Sequence, residues 1–134
     1  MNIARKGEDL KQNSLVLQKG QLLNPLKISL LASIGKKTAN VFKPPTVSIL
    51  STGNEIISVA VDPQPEQIRD SNSYTLVEFL KKFKISPSIR EIVKDDPEKI
   101  SQSIEKSLIS NIIFISGGVS MGDFDFVPKV LSEN

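Results

Sequence analysis

The chain has 134 residues, 39% hydrophobic and 24% charged, with a formal charge of +2, the profile of one globular domain or of one domain with part of another. Cysteine and histidine are both absent, which excludes disulfides, thiolate nucleophiles, sulfur-ligated metals and every histidine-based zinc or acid–base site. There is no dense basic block, no signal-peptide core and no apolar run near the roughly twenty residues that cross a bilayer, so nucleic acid and membrane are not expected partners and a cytoplasmic location is expected.

In chain order, Leu15-Val16-Leu17 reads as a short strand between Asn13-Ser14 and Lys19-Gly20. A helix signal follows: Asn24 can cap, Pro25 suits the first turn, Leu26, Leu30 and Ile34 share a face, and Gly35 is a stop. A second short strand is expected over Thr38 to Phe42. Lys43-Pro44-Pro45 divides the chain, giving a small α+β segment over 1–43 and an α/β domain over 44–134.

Beyond the prolines, Val47 to Ser51 reads as a strand ending at Thr52-Gly53-Asn54. Asp62-Pro63-Gln64-Pro65 is an irregular loop, because two prolines deny it a ladder or a helix. Asn72 or Ser71 caps a helix to about Lys82, with Leu76, Phe79, Leu80 and Phe83 inward. Ser88 to Val93 is a strand, and Asp96-Pro97 opens a helix lined by Ile100, Ile104 and Leu108. Ile112 to Ile115 reads as a fully buried strand, Ser116-Gly117-Gly118 as a turn, and Val127 to Leu131 as the start of a helix. The alternation predicts a mostly parallel sheet with right-handed crossovers, covered by helices on both faces as a three-layer sandwich.

Chemistry then rests on carboxylates, hydroxyls, lysines, backbone amides and a hard cation such as magnesium. Two loops combine hydroxyls with glycine after a strand: Ser51-Thr52-Gly53-Asn54-Glu55 and Ser116-Gly117-Gly118-Val119-Ser120. If their strands are neighbours, both line one crevice suited to a phosphate; singly, each glycine is explained as well by a tight turn. Glu55, Asp70, Asp95 and Asp125 fall at strand ends or helix starts, which a parallel sheet gathers on one edge. Against a cation site stand simpler roles: Asp96 and Asp70 can be helix caps, and Asp62 and Asp123 can be solvated. Ser120 and Thr52 suit hydrogen bonding better than nucleophilic attack, since no base is at hand. Arg69 suits an anionic ligand or a surface ion pair, and Tyr74 a packing role.

Ser51-Thr52-Gly53-Asn54-Glu55, Gln67-Ile68-Arg69-Asp70-Ser71-Asn72, Asp95-Asp96-Pro97 and Gly117-Gly118-Val119-Ser120-Met121-Gly122-Asp123-Phe124-Asp125 together resemble the molybdopterin molybdenumtransferases, the MoeA and gephyrin E-domain family. Arg5 to Asp9 and Leu30 to Gly35 are similar to the segment preceding that family's pterin-binding domain. The resemblance implies insertion of molybdate into adenylylated molybdopterin with release of AMP, in a magnesium-dependent step. It implies Glu55, Asp95 and Asp125 as catalytic and metal-binding carboxylates. It implies Thr52, Gly53, Asp70, Asn72, Ser116, Gly117, Gly118, Ser120 and Gly122 as the pterin-nucleotide contacts. A homodimer and a molybdopterin adenylyltransferase are the partners it implies. Asn54, Asn111 and Phe126 depart from the family's aspartate, aspartate and tyrosine, and the chain is expected to stop before the rest of the pterin-binding domain and the C-terminal domain. The alternatives are a pterin-nucleotide-binding module without chemistry, and a related domain of the competence-damage amidase type.

Overall fold

A computed structural model describes residues 3, 5, 7–118 and 126–133. The chain forms two compact units, residues 1–42 and 43–134.

In the first unit, α1 (Pro25–Ser33) starts as its sequence dictates, with Asn24 Oδ1 accepting from the Lys27 amide at 3.0 Å. The two expected strands, Leu15 to Leu17 and Thr38 to Phe42, are not formed; both segments are irregular. A strand needs a ladder partner, and two or three apolar residues do not recruit one. Leu15, Leu26 and Phe42 are accordingly exposed.

The second unit holds β1 (Val47–Thr52), β2 (Ile56–Ile57), β3 (Ile68–Arg69), α2 (Asn72–Lys81), β4 (Ile89–Val93), α3 (Pro97–Ser107), β5 (Ile112–Ser116) and α4 (Phe126–Glu133). The main sheet is parallel in the order β4-β1-β5, and β2 and β3 pair in parallel as a separate ribbon. All six residues of β1 are buried, as expected of the middle strand of a covered parallel sheet. On one face Val47 and Ile49 pack with Leu76, Val77, Leu80 and Ile85; on the other Leu50 and Val93 pack with Ile100, Ile104, Val127 and Val130. The sandwich thus has α2 on one side and α3 with α4 on the other.

Three expected core positions point elsewhere. Phe79, Phe83 and Leu108 are exposed, because α2 turns Leu76, Val77 and Leu80 inward and Leu108 lies just past the end of α3. β5 is half-buried rather than fully buried. It is an edge strand, and its register places Ile112 and Phe114 on the face of Val47 and Ile49, where α2 covers β1 instead. The entry to β5 is fixed by Asn111, whose Oδ1 accepts from both the amide and the hydroxyl of Thr46, each at 3.0 Å.

Candidate functional site

β1 is the switch point of this sheet, since the chain leaves it for β4 on one side and returns to β5 on the other. Ligands of open α/β sheets bind beyond the carboxyl ends of strands at such a point. A cleft of about 220 Å³ lies there. Its floor is Ser51, Thr52, Ser116 and Gly117, its far wall Ile56 and Ile68 of the ribbon, and its rim Glu55, Arg69, Ser71 and Asn72. Pockets for whole drug-sized ligands run to about 300–1,000 Å³, so this cleft fits a phosphate and its immediate attachment rather than an entire pterin nucleotide.

The two hydroxyl–glycine loops do meet. A Cβ on Gly117 would lie 2.1 Å from the Thr52 carbonyl oxygen, and one on Gly118 would lie 2.8 Å from Thr52 Oγ1. Both glycines have positive φ, +94° and +57°, a conformation costly for any residue with a side chain. Only a bare backbone passes the end of β1 this closely. Thr52 Oγ1, beneath that loop, is buried without a hydrogen-bond partner among the described residues. Buried hydroxyls are normally satisfied; this one is sealed beneath the turn, so a ligand atom in the cleft would reach it only with Gly117-Gly118 displaced. Around it, Asn72 Nδ2 donates to Ser116 Oγ at 2.9 Å, leaving one amide proton and the serine proton for an acceptor in the cleft. Ser71 and Asn72 also bring the positive end of the ten-residue α2 to the rim, which favours an anion.

Asp70 lines the cleft but is only 4% exposed. Its Oδ1 accepts from Ser51 Oγ and from the Ser73 amide, both at 3.1 Å, and its Oδ2 accepts from Ser73 Oγ. Asp70, rather than Ser71, therefore caps α2; the Ser71 side chain makes no capping bond. Arg90 Nε donates to Ser73 Oγ at 2.8 Å, and its guanidinium stands 3.8 Å from Asp70 Oδ2 and 3.7 Å above the Tyr74 ring. Sequence reasoning placed Ser51 in the crevice loop but overlooked Ser73 and Arg90 as parts of this site. The available signals were a serine three residues after Asp70 and one cation inside the apolar run Ile89 to Val93.

The remaining carboxylates separate. Asp95 and Asn54 hold each other: the Asn54 amide donates to Asp95 Oδ2 at 3.1 Å and the Asp95 amide donates to Asn54 Oδ1 at 3.3 Å, while Lys94 Nζ donates to the Asn54 carbonyl at 2.8 Å. Glu55 folds back toward Gly53, its carboxylate oxygens 2.7 and 2.8 Å from where a Cβ would stand there. Arg69 pairs with Asp62 at 2.9 Å on the surface, and Asp96 caps α3 through the Lys99 amide at 3.1 Å. Among the described residues no three carboxylates converge on a cation position. Asp125, like Ser120, Gly122 and Asp123, lies outside the described residues. Glu55 and Asp95 do not by themselves fit magnesium.

A parallel α/β domain with an anion-suited crevice at the switch point is a class with many uses, and comparison narrows it. Residues 48–134 match the family model described as probable molybdopterin binding domain. The chain belongs to that family. It is 34% identical over 130 residues to a molybdopterin molybdenumtransferase of Staphylococcus epidermidis, covering 96% of this chain and 31% of that protein. To one of Staphylococcus aureus it is 35% identical over the same length, again covering 96% and 31%. The crystal structure of the molybdopterin biosynthesis MoeA protein from Pyrococcus horikosii superposes with a TM-score of 0.80 at 30% identity, covering 95% of this chain and 32% of that one. The chain thus spans about a third of the length of these relatives.

Proposed function

We propose that this chain acts in molybdenum cofactor biosynthesis, with residues 44–134 binding the phosphate-bearing end of adenylylated molybdopterin for molybdate insertion and AMP release. The observation that carries the reading is the orphaned hydroxyl of Thr52 under the Gly117-Gly118 turn, beside the N-terminus of α2. A phosphate oxygen in the cleft would accept from Ser116 Oγ and Asn72 Nδ2, and from Thr52 Oγ1 with the turn above it displaced, and the helix end would stabilise its charge. The names of the relatives support the same chemistry. Gly53, Gly118, Ser120 and Gly122 complete the proposed pterin-nucleotide contacts, and Asp70 supports them from below.

The proposal extends to magnesium through Glu55, Asp95 and Asp125 as a set. No step is assigned to the cation, because Glu55 and Asp95 alone do not assemble a site. A cytoplasmic location, a homodimer and an adenylyltransferase partner belong to the same proposal. The match to a binding domain over 48–134 favours a second reading, in which this chain binds the pterin and performs no chemistry.

Calorimetric titration of the 134-residue chain with adenylylated molybdopterin tests both. Saturable binding with AMP release on adding molybdate and magnesium supports the transferase reading. Binding without AMP release supports the binding module. An absence of binding would contradict both.

A further inference from the structure

We propose that Arg90 and Ser73 are positioning residues for the anion-binding end of the cleft, acting on Asn72 through the first turn of α2 without touching the ligand. The inference rests on the reading of the cleft as a phosphate site and adds two residues that do not line it.

Ser73 is fully buried, and Asp70 almost so. A carboxylate removed from water needs hydrogen bonds on both oxygens to be tolerated, and this one receives them from β1 through Ser51 and from α2 through the amide and hydroxyl of Ser73. A serine hydroxyl has one proton. With that proton committed to Asp70, the Ser73 oxygen is an acceptor, and Arg90 Nε fills it at 2.8 Å. The direction of the chain is thereby fixed: Arg90 donates to Ser73, and Ser73 donates to Asp70. Arg90 is held in turn by the Tyr74 ring, 3.7 Å from its guanidinium carbon, and it projects from the second residue of β4, opposite Ile49 in the register.

The consequence is mechanical. The network ties the start of α2 to β1 and, through Arg90, to β4. Asn72 lies between the two residues it holds, Asp70 and Ser73, and reaches β5 through its 2.9 Å bond to Ser116 Oγ. The Asn72 amide is therefore aimed by a polar chain that begins on the far edge strand. Lysine would not replace Arg90, because the planar Nε–H donor and the face-on stacking belong to the guanidinium.

Two measurements on the full chain test this. In the ligand-free protein, Arg90→Gln is expected to shift the Asn72 side-chain amide signals in a nitrogen–proton correlation spectrum while leaving the Asn54 side-chain signals in place. Unmoved Asn72 signals would overturn the proposal without any reference to ligand. With adenylylated molybdopterin, Arg90→Gln and Asn72→Ala are each expected to weaken binding about tenfold, and the double variant also about tenfold rather than about a hundredfold, since residues acting through one contact are not additive. Additive losses would contradict a route through Asn72. If Arg90→Gln does not fold, Ser73→Ala interrupts the same chain while keeping the Ser73 amide cap, and the same two outcomes apply. If the unaltered chain does not bind adenylylated molybdopterin, the functional proposal fails, and the ligand-free spectrum still decides the positioning role.

Discussion

The most consequential contact in the second unit is that of the Gly117 backbone with the end of β1, because it leaves the Thr52 hydroxyl enclosed and, among the described residues, unpaired. Two substitutions separate its parts. Thr52→Val keeps the shape and removes a buried hydroxyl without a partner, so urea unfolding should show stability unchanged or raised by up to about 1 kcal/mol. The same variant should bind adenylylated molybdopterin at least about fivefold more weakly, the loss of one hydrogen bond of roughly 1 kcal/mol. Gly117→Ala should destabilise by at least about 2 kcal/mol, from positive φ and overpacking together, because its Cβ would stand 2.1 Å from a carbonyl oxygen. Thr52, Gly117 and Gly118 were legible in the sequence, where a hydroxyl or a glycine pair follows a strand. Arg90 and Ser73 were not. They lie 17 positions apart, one on α2 and one on β4, and only the packing of that helix on the sheet brings them together.

At the scale of elements, cap chemistry is the most transparent part of the sequence. Asn24-Pro25 and Asp96-Pro97 start α1 and α3 at the expected residues. α2 starts from Asp70, one of the caps the sequence offered there beside Ser71 and Asn72, and burial decides between them: Asp70 is tied at once to β1, the helix and Arg90, whereas Ser71 is exposed. Asp96→Ala should cost about 1 kcal/mol in thermal or urea unfolding, the ordinary value of an exposed cap, with ligand affinity unchanged. Asp70→Ala should cost more, about 2–4 kcal/mol, because it strands Ser51, Ser73 and Arg90 together. Equal costs for the two caps would show that the buried network adds nothing. Helix faces were less legible than helix starts. Phe79 and Phe83 fit an apolar stripe by spacing, yet α2 turns Val77 inward instead, a choice made by the shape of the surface under it.

For the molecule as a whole, the alternation of strands and helices after residue 45 was enough to predict a parallel sheet covered on both faces. The order β4-β1-β5 follows once β1, the only fully buried strand among the described residues, takes the middle. The strands expected before Lys43 failed because they had no ladder to join. The buried reading of β5 failed because a run of isoleucines does not reveal whether its strand lies in the middle of a sheet or at its edge. Among the described residues the carboxylates were gathered less tightly than strand-end logic suggests: Asp95 answers to Asn54, Asp70 to α2, and Glu55 is the exposed one at the cleft. The proposed anion site therefore rests on hydroxyls, an amide and a helix end. Its location is the central claim, and residue-resolved titration tests it most directly. Adding adenylylated molybdopterin to the isotope-labelled chain should perturb Thr52, Asn72, Ser116 and Gly117 together and leave α1 unmoved. Saturable binding that leaves those four unchanged, or that perturbs the first unit instead, would contradict the account.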